Sequence, residues 1–261
     1  MRTHVVTGAA SGIGKATAEL LRSQGHKVIG VDLRGSDIDV DLATVEGRNS
    51  LAEKVADASG GVIDSIIAVA GVALPSSTTV KVNYFGAVAT LENLRPLLAK
   101  SSAPRAAVVA SFAALQANDA DLVSHLLAGD EEAAVARADE LVKPEQAGLI
   151  YASSKRAIAE WVRTTAITDE WAAAGIPLNG VGPGVILTPM TAPMMETEEG
   201  RAALLQVVPM PLNGPAQPEK VAEVLAFLTD EANTHITAQI IFIDGGADGI
   251  LRGPHIFDPA W

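Results

Sequence analysis

The chain has 261 residues, of which 48% are hydrophobic and 19% charged, enough to form one large apolar core. Its net charge of −12 disfavours binding to nucleic acid, to anionic membrane surfaces and to strongly acidic proteins. The absence of cysteine excludes disulfides and thiolate chemistry, and the five scattered histidines lack metal-ligand spacing, so we expect no bound metal.

The N-terminal stretch MRTHVVTGAASGIGK reaches a glycine-rich turn before a signal-peptide core could form. The apolar runs along the chain are all shorter than a membrane span. We therefore expect a cytoplasmic protein that does not enter the membrane.

Six short apolar runs alternate with longer amphipathic segments. They are HVVT, HKVIGVD, SIIAVAG, AAVVAS, IPLNGVGP and AQIIFIDGG, each too continuous for a half-exposed strand. This alternation predicts an α/β fold, a Rossmann-type doubly wound parallel sheet of about seven strands with helices on both faces. We expect one domain over residues 1–261, with two long excursions at about 115–148 and about 189–215.

The first predicted strand leads into VVTGAASGIGKATAELL. Gly8, Gly12 and Gly14 lie between strand and helix, where backbone amides at a helix N-terminus can bind a pyrophosphate. The second strand ends at Asp32, 18 residues beyond Gly14 and near the ~20 residues at which a carboxylate binds an adenosine ribose. Its charge would repel a 2′-phosphate, which favours NAD over NADP, although Arg34 argues the other way. The alternative for Asp32 is a turn or helix-cap residue.

The pattern TGAASGIG, together with Asn83, Ser111, Tyr151 and Lys155, resembles the short-chain dehydrogenase/reductase family. The resemblance covers nearly the whole chain, including VNYFGA, GPG and the late IDGG. VDLRGSDIDVDLATVEGR, the long gap before the tyrosine and RGPHIF are similar to the 3α-hydroxysteroid dehydrogenase/carbonyl reductase branch. The family's usual Asn-Asn-Ala-Gly is AVAG here, so the sheet hydrogen bonds of those asparagine side chains must be replaced or absent.

The resemblance implies four catalytic residues. Tyr151 would exchange a proton with the substrate oxygen while the nicotinamide exchanges hydride with the carbon. Lys155, one helical turn later, would stabilise the phenolate and bind the nicotinamide ribose. Ser111 would donate a hydrogen bond to the substrate oxygen. Asn83 would hold a water that links Lys155 to solvent, unless it is an ordinary helix-interior asparagine on a polar face.

The remaining predicted contacts also follow from the resemblance. Around GVGPGVILTPM, the chain would turn beneath the nicotinamide and contact its carboxamide. The predicted cofactor residues are Gly8, Ser11, Gly12, Ile13, Gly14, Asp32, Asp41, Leu42, Ala70, Gly71, Tyr151, Lys155, Pro183, Gly184, Ile186 and Thr188. The predicted substrate residues are Ser111, Phe112, Ala113, Tyr151, Met190, Met194 and Met195.

A methionine-rich segment follows Thr188. It contains Met190, Met194, Met195 and Met210, all the methionines beyond the first residue. Because thioethers adapt to irregular apolar shapes, we expect a mobile lid over an apolar ketone or alcohol of the steroid, cyclic or aryl class, rather than a sugar. Ordinary core packing of these methionines is the alternative.

Ser111 and Tyr151 are 40 positions apart, where the resemblance implies about a dozen. The intervening DADLVSHLLAGDEEAAVARADELVKPEQ predicts two short helices, with a break at Gly129 and a stop at Pro144. This acidic insertion would obstruct one surface that family tetramers use. We therefore expect a homodimer through PEKVAEVLAFLTDE and AQIIFID. The alternative is a solvated flap that leaves a tetramer possible.

Three functions remain open from the sequence. The favoured one is an NAD-dependent alcohol dehydrogenase/ketone reductase. The second is a 3-oxoacyl-carrier-protein reductase that uses NADPH, which Asp32 and the negative charge oppose. The third is a cofactor-binding protein without turnover, which the presence of Ser111, Tyr151 and Lys155 opposes.

Overall fold

The computed structural model describes residues 1–258. Its parallel sheet has the strand order β3-β2-β1-β4-β5-β6-β7. The strands are β1 (Thr3–Thr7), β2 (Lys27–Asp32), β3 (Ile38–Asp39), β4 (Ser65–Ala68), β5 (Arg105–Val109), β6 (Leu178–Pro183) and β7 (Ile240–Ile243). The order reverses between β1 and β4, which places a ligand crevice at their carboxyl ends. The predicted fold class is confirmed.

Helices cover both faces of the sheet. They are α1 (Gly12–Ser23), α2 (Val45–Ser59), α3 (Thr78–Val80), α4 (Ala87–Leu98), α5 (Ala120–Leu127), α6 (Glu131–Glu140), α7 (Ala147–Thr165), α8 (Ala192–Met195), α9 (Glu198–Val207), α10 (Pro218–Leu228) and α11 (Ala247–Arg252). A π-helical turn, Lys81–Gly86, joins α3 to α4, and a second one spans Asp169–Ala173. Two 3-10 turns span Phe112–Leu115 and Gly253–Phe257.

The central strands are buried on both sides because successive side chains enter different apolar cores. In β1, Val5 packs in the core beneath α2, α4 and α7, whereas Val6 packs in the core beneath α1 and α10. Ile66 and Ile67 of β4 divide in the same way. All four side chains are fully buried. This two-sided burial explains why these strands read as continuous apolar runs in the sequence.

Strand β3 is the one that the apolar runs did not reveal. It pairs only Ile38 with Val31 and Asp39 with Asp32. A two-residue edge strand is too short to produce a periodic signal, so its position depends on pairing with β2.

The insertion forms the two predicted helices, α5 and α6. Gly129, with φ +72°, breaks the chain between them, and α6 ends at Glu140, ahead of Pro144. Leu122, Leu126 and other apolar side chains of both helices belong to the core beneath α7. The insertion is therefore a packed part of the molecule, and the solvated-flap alternative does not describe it.

Within residues 1–258, no helix is both long enough and apolar enough to cross a membrane. The same residues contain no cluster of three or more histidine and carboxylate side chains that could hold a metal ion.

Candidate active site

A cleft of about 620 Å³ opens at the carboxyl ends of β1, β2, β4, β5 and β6. The residues predicted to bind a cofactor all line it: Gly8, Ser11, Gly12, Ile13, Gly14, Asp32, Asp41, Leu42, Ala70, Gly71, Tyr151, Lys155, Pro183, Gly184, Ile186 and Thr188. The prediction missed further lining residues, among them Leu33, Val40, Val69, Val72, Leu74, Val82, Val109, Ala110, Pro189 and Thr191. Most of these neighbour predicted ones, so extending each strand-end motif by a residue or two would have found them.

The glycine loop brings the backbone close to the cleft at the start of α1. Gly8 and Gly12 have φ of +69° and +52°, which L side chains rarely adopt. A Cβ at Gly14 would lie 2.1 Å from the carbonyl oxygen of Gly8, so only glycine fits this crossing of helix and strand. Within the described chain, the Ser11 side chain makes no capping hydrogen bond, which leaves the first amides of α1 available to an anion.

Thr7 joins the AVAG segment to β1 through hydrogen bonds to backbone amides. Its Oγ1 accepts from the backbone amides of Val69, at 3.0 Å, and Ala70, at 3.1 Å. Thr7 is 1% exposed, so these bonds are shielded from water. The bonds fix the ends of β1 and β4 to each other, on either side of the crevice.

Asp32 lies at the end of β2, on the cleft wall next to the glycine loop. Its Oδ2 accepts from the Ala10 amide at 2.9 Å, and its Oδ1 accepts from the Leu33 amide at 2.7 Å. The turn role considered from the sequence is therefore present. A carboxylate has about four lone-pair sites, so Asp32 retains acceptor capacity toward the cleft. Arg34 is exposed and lies outside the set of lining residues.

Ser111, Tyr151 and Lys155 line one part of the cleft. Ser111 follows β5, and its Oγ accepts from the Ala113 amide at 3.1 Å. Tyr151 and Lys155 are one turn apart on α7, and the Lys155 Nζ lies 5.8 Å from the centre of the Tyr151 ring. The same Nζ donates to the carbonyl of Val109 at 2.9 Å. The three side chains thus come from two adjacent elements that the core holds together.

Burial shifts the acidity of both ionisable groups. It raises the pKa of Tyr151, and the hydrogen bond with Ser111 opposes this rise. It also lowers the pKa of Lys155 from 10.5 to about 8. The sequence led us to expect a stabilised phenolate, whereas the protein groups alone keep Tyr151 protonated at neutral pH. In this state Tyr151 is a proton donor, positioned on the cleft wall.

Asn83 is 1% exposed and lies behind the cleft rather than on its wall. Its Oδ1 accepts from the Val72 amide at 2.8 Å. Its Nδ2 donates to the Val72 carbonyl at 2.9 Å and to Ser154 Oγ at 3.1 Å. Both amide hydrogens are therefore in use, and the side chain clamps the segment after Gly71 to α7. The predicted water would have to bind Asn83 through an oxygen.

The predicted substrate residues divide into two groups. Ser111, Tyr151 and Met190 line the cleft, whereas Phe112, Ala113, Met194 and Met195 do not. Phe112 is 2% exposed and packs with Met195 and Met210 in a small core beneath the methionine-rich segment. Phe112 is the first residue of a 3-10 turn that the Ser111 side chain caps by accepting from the Ala113 amide. Core packing, the alternative weighed from the sequence, thus describes Met195 and Met210.

Comparison with known proteins agrees with this architecture. A family model described as enoyl-(acyl carrier protein) reductase matches residues 134–248. The chain is 34% identical to 3-alpha-hydroxysteroid dehydrogenase/carbonyl reductase of Comamonas testosteroni, over 95% of this chain and 97% of that protein. It is 29% identical to cis-4-hydroxycyclohexanecarboxylate dehydrogenase of Sinomonas cyclohexanicum, over 94% and 96%.

A solved structure extends the likeness to three dimensions. The 3-alpha-hydroxysteroid dehydrogenase from Pseudomonas sp. B-0831, crystallised with NADH, superposes with a TM-score of 0.86 and 38% identity. The match covers 97% of this chain and 99% of that one. The chain belongs to the short-chain dehydrogenase/reductase family of oxidoreductases. Within that family it is similar to the 3α-hydroxysteroid dehydrogenase/carbonyl reductase branch.

Proposed function

We propose that this protein is an NAD-dependent oxidoreductase that interconverts an apolar secondary alcohol and the corresponding ketone. One observation carries the proposal: Ser111, Tyr151 and Lys155 line the same cleft as the glycine loop and Asp32. A proton donor, an oxygen-binding hydroxyl and a dinucleotide-binding turn within one cleft are the parts that carbonyl reduction requires.

The residues present fit a bound dinucleotide. The close approach of Gly8 and Gly14 and the uncapped amides of α1 suit a pyrophosphate. Asp32 would accept hydrogen bonds from the adenosine ribose, and Asp41 and Leu42 would border the adenine. The segment from Pro183 to Thr188 would border the nicotinamide. When bound, this cofactor supplies or accepts the hydride.

The choice of NAD over NADP rests on the charge at the adenosine end. Asp32 and Asp41 line this part of the cleft, whereas Arg34 does not. Two carboxylates would repel a 2′-phosphate by like-charge interaction. The neighbour from Pseudomonas sp. B-0831 was crystallised with NADH, which supports the same choice.

The chain's own groups handle the proton. In the reducing direction, the protonated Tyr151 hydroxyl would donate its proton to the alkoxide oxygen that forms on the substrate. Ser111 would orient that oxygen by a hydrogen bond. Lys155, whose pKa burial lowers to about 8, would place a positive charge near the phenolate that remains. In the oxidising direction, the phenolate would take the proton back.

An apolar substrate suits the walls beside these groups. Val72, Ala73, Leu74, Pro189 and Met190 line the cleft near its open side. Two relatives are named for dehydrogenation of a hydroxyl group on a carbocyclic ring, in a steroid and in a cyclohexanecarboxylate. Cyclic ketones and alcohols are therefore the substrate class that we propose.

The direct test is cofactor oxidation with a panel of carbonyl compounds. The panel holds a 3-ketosteroid, a substituted cyclohexanone, an aryl ketone and a 3-oxoacyl thioester, each assayed with NADH and with NADPH. We expect turnover of a cyclic or aryl ketone with NADH. Turnover of the thioester alone with NADPH would support a 3-oxoacyl-carrier-protein reductase instead. Absence of turnover throughout, with cofactor bound, would support a non-catalytic binding protein.

A further inference from the structure

The insertion contacts Arg48 of α2, which lies beside the Asp41–Leu42 part of the cleft wall. Glu131, the first residue of α6, accepts a hydrogen bond from Arg48 of α2, and Glu131 Oε2 lies 2.5 Å from Arg48 Nη2. The side chain of Arg48 is 8% exposed and that of Glu131 is 29% exposed. The two residues are 83 positions apart in the chain. This is a mostly buried, charge-assisted contact between the insertion and the dinucleotide-binding fold.

Arg48 also contacts a residue of the cleft wall. Its Nη1 donates to the carbonyl of Leu42 at 3.5 Å, and Leu42 lines the cleft beside Asp41. Leu42 is confined on its other side by the π-helical turn, because a Cβ at Gly86 would lie 3.0 Å from the Leu42 Cβ. The backbone of Arg48 is itself held by Asn93, whose Nδ2 donates to the Arg48 carbonyl at 3.0 Å. The guanidinium thus supplies one of the contacts that hold this wall, beside the amide and hydroxyl of Thr44, which both donate to the Asp41 carbonyl.

Glu131 is the charged partner in the surroundings of Arg48. The other contacts of the guanidinium are the Leu42 carbonyl and the ring of Phe85, whose centre lies 6.0 Å away. Removing one member of a buried ion pair leaves an uncompensated charge, which drives the remaining side chain toward water or another acceptor. Without Glu131, the guanidinium would have to move, and its contact with Leu42 would loosen.

The start of the insertion, at Asp119, is hydrogen-bonded to α7, the helix that carries Tyr151 and Lys155. The Asp119 amide donates to Ser153 Oγ at 2.9 Å, and the Asp119 carboxylate accepts two hydrogen bonds from Arg137 of α6, at 3.0 and 2.7 Å. Helix α6 is therefore held through Asp119 at one end and through Glu131 at the other. These contacts restrict the position of Glu131 relative to Arg48.

We propose that Glu131 is a positioning residue for the cofactor: through Arg48, the insertion fixes the Asp41–Leu42 wall against which the adenosine half of the dinucleotide binds. This inference rests on the proposed function, because it assumes that the cleft binds a dinucleotide. It makes the affinity for the adenosine half depend on a residue that does not line the cleft.

The test compares the wild type with Glu131→Gln and with the control Glu132→Gln. Both substitutions remove one negative charge from the first turn of α6, but Glu132 is exposed. Dissociation constants are measured calorimetrically for NADH, ADP-ribose and nicotinamide mononucleotide. We expect Glu131→Gln to weaken NADH and ADP-ribose by the same factor, about fivefold, and to leave nicotinamide mononucleotide unchanged. Glu132→Gln should match the wild type for all three ligands.

A conservative variant separates positioning from general damage to the fold. Glu131→Asp keeps the charge and should bind ADP-ribose more tightly than Glu131→Gln does. If Glu131 only stabilised the fold, the two variants would differ for nicotinamide mononucleotide as well. Equal ADP-ribose affinity of Glu131→Gln and the wild type would overturn the inference, as would an equal loss for nicotinamide mononucleotide. If the wild type binds neither NADH nor ADP-ribose, the proposed function itself fails.

Discussion

At the scale of single residues, Asp32 carries the charge that should select the cofactor. Asp32 accepts hydrogen bonds from two backbone amides, and Asp32→Asn removes the charge while keeping one acceptor oxygen for one of them. We expect the ratio of NADPH to NADH affinity to rise by roughly tenfold or more, since a like-charge repulsion disappears. Fluorescence titration with both cofactors measures it. A wild type that already prefers NADPH would show that Asp32 does not have this role.

His4 is a buried histidine far from the cleft, and it should make the fold sensitive to acid. Its Nδ1 lies 2.6 Å from Ser65 Oγ, while its Nε2 has no partner among the described residues. Burial lowers its pKa from 6.5 to about 3, with nearby His26 and Arg2 contributing. Below pH 6.5 the unfolded chain therefore binds a proton at His4 that the folded chain does not bind. The free energy of unfolding falls as the pH drops from 6.5 toward 3.

This loss is measurable by urea unfolding at pH 6.5 and pH 5. The His4 contribution over that interval is roughly 1.6 kcal/mol, because the slope is half of the full ~1.4 kcal/mol per pH unit at pH 6.5 and approaches the full value at pH 5. The variant His4→Gln should lose that much less free energy of unfolding than the wild type between the two pH values. The exposed His235→Gln serves as the control and should follow the wild type. Identical pH dependence of His4→Gln and the wild type would contradict the assignment.

Some local geometry could be inferred from the sequence because a motif determines its own backbone conformation. The glycine loop is an example: Gly8 and Gly12 have a positive φ that other residues avoid, and Gly14 lies too close to the Gly8 carbonyl for a side chain. The orientations of Phe112 and Met210 were beyond such reasoning. Both point into a core assembled from the 3-10 turn, the Val185 turn and α9, which only tertiary packing brings together.

At the scale of elements, the methionine-rich segment should close over the cleft. Every residue of α9 is at least partly exposed, and Met190 and Met194 are about 40% exposed, so little apolar area holds this segment in place. We expect weak hydrogen-exchange protection of residues 190–210 in the free protein and strong protection with NADH and a bound ketone analogue. Helix α10 should keep the same protection in both states. Equal protection of residues 190–210 in both states would argue against a closing lid.

Elements were predictable from the sequence to the extent that their pattern is local. The two helices of the insertion followed from helical spacing and from Gly129, and both formed. The buried contact between Glu131 and Arg48 could not be inferred, because no local pattern relates positions 83 residues apart. Strand β3 was not predicted because a two-residue strand is too short to show a periodic pattern of apolar residues.

At the scale of the whole molecule, the exposed apolar surface favours a homodimer. Strand β7 is at the edge of the sheet with its four apolar residues half-buried, and Phe227 of α10 is 54% exposed. The acidic insertion packs against α7 instead. Sedimentation equilibrium at micromolar concentration should give about twice the chain mass of 26.9 kDa. The variant Phe227→Glu should dissociate it, because a charge would be buried in the contact. A stable tetramer would refute this arrangement.

Tyr151 is the proposed partner in proton exchange during hydride transfer, and a variant that lacks only its hydroxyl tests this role. The variant Tyr151→Phe should lose turnover by about 10²- to 10⁴-fold, the usual contribution of a general acid. Its dissociation constant for NADH should stay within about twofold of the wild type, since the ring still packs.

Tyr84→Phe is the matched control, because Tyr84 is the other tyrosine and is buried outside the cleft wall. The measurement is kcat with a ketone that the wild type reduces, alongside NADH binding. Loss of kcat with intact NADH binding in Tyr151→Phe alone is the expected result, and a Tyr151→Phe enzyme that keeps most of its activity would contradict the account.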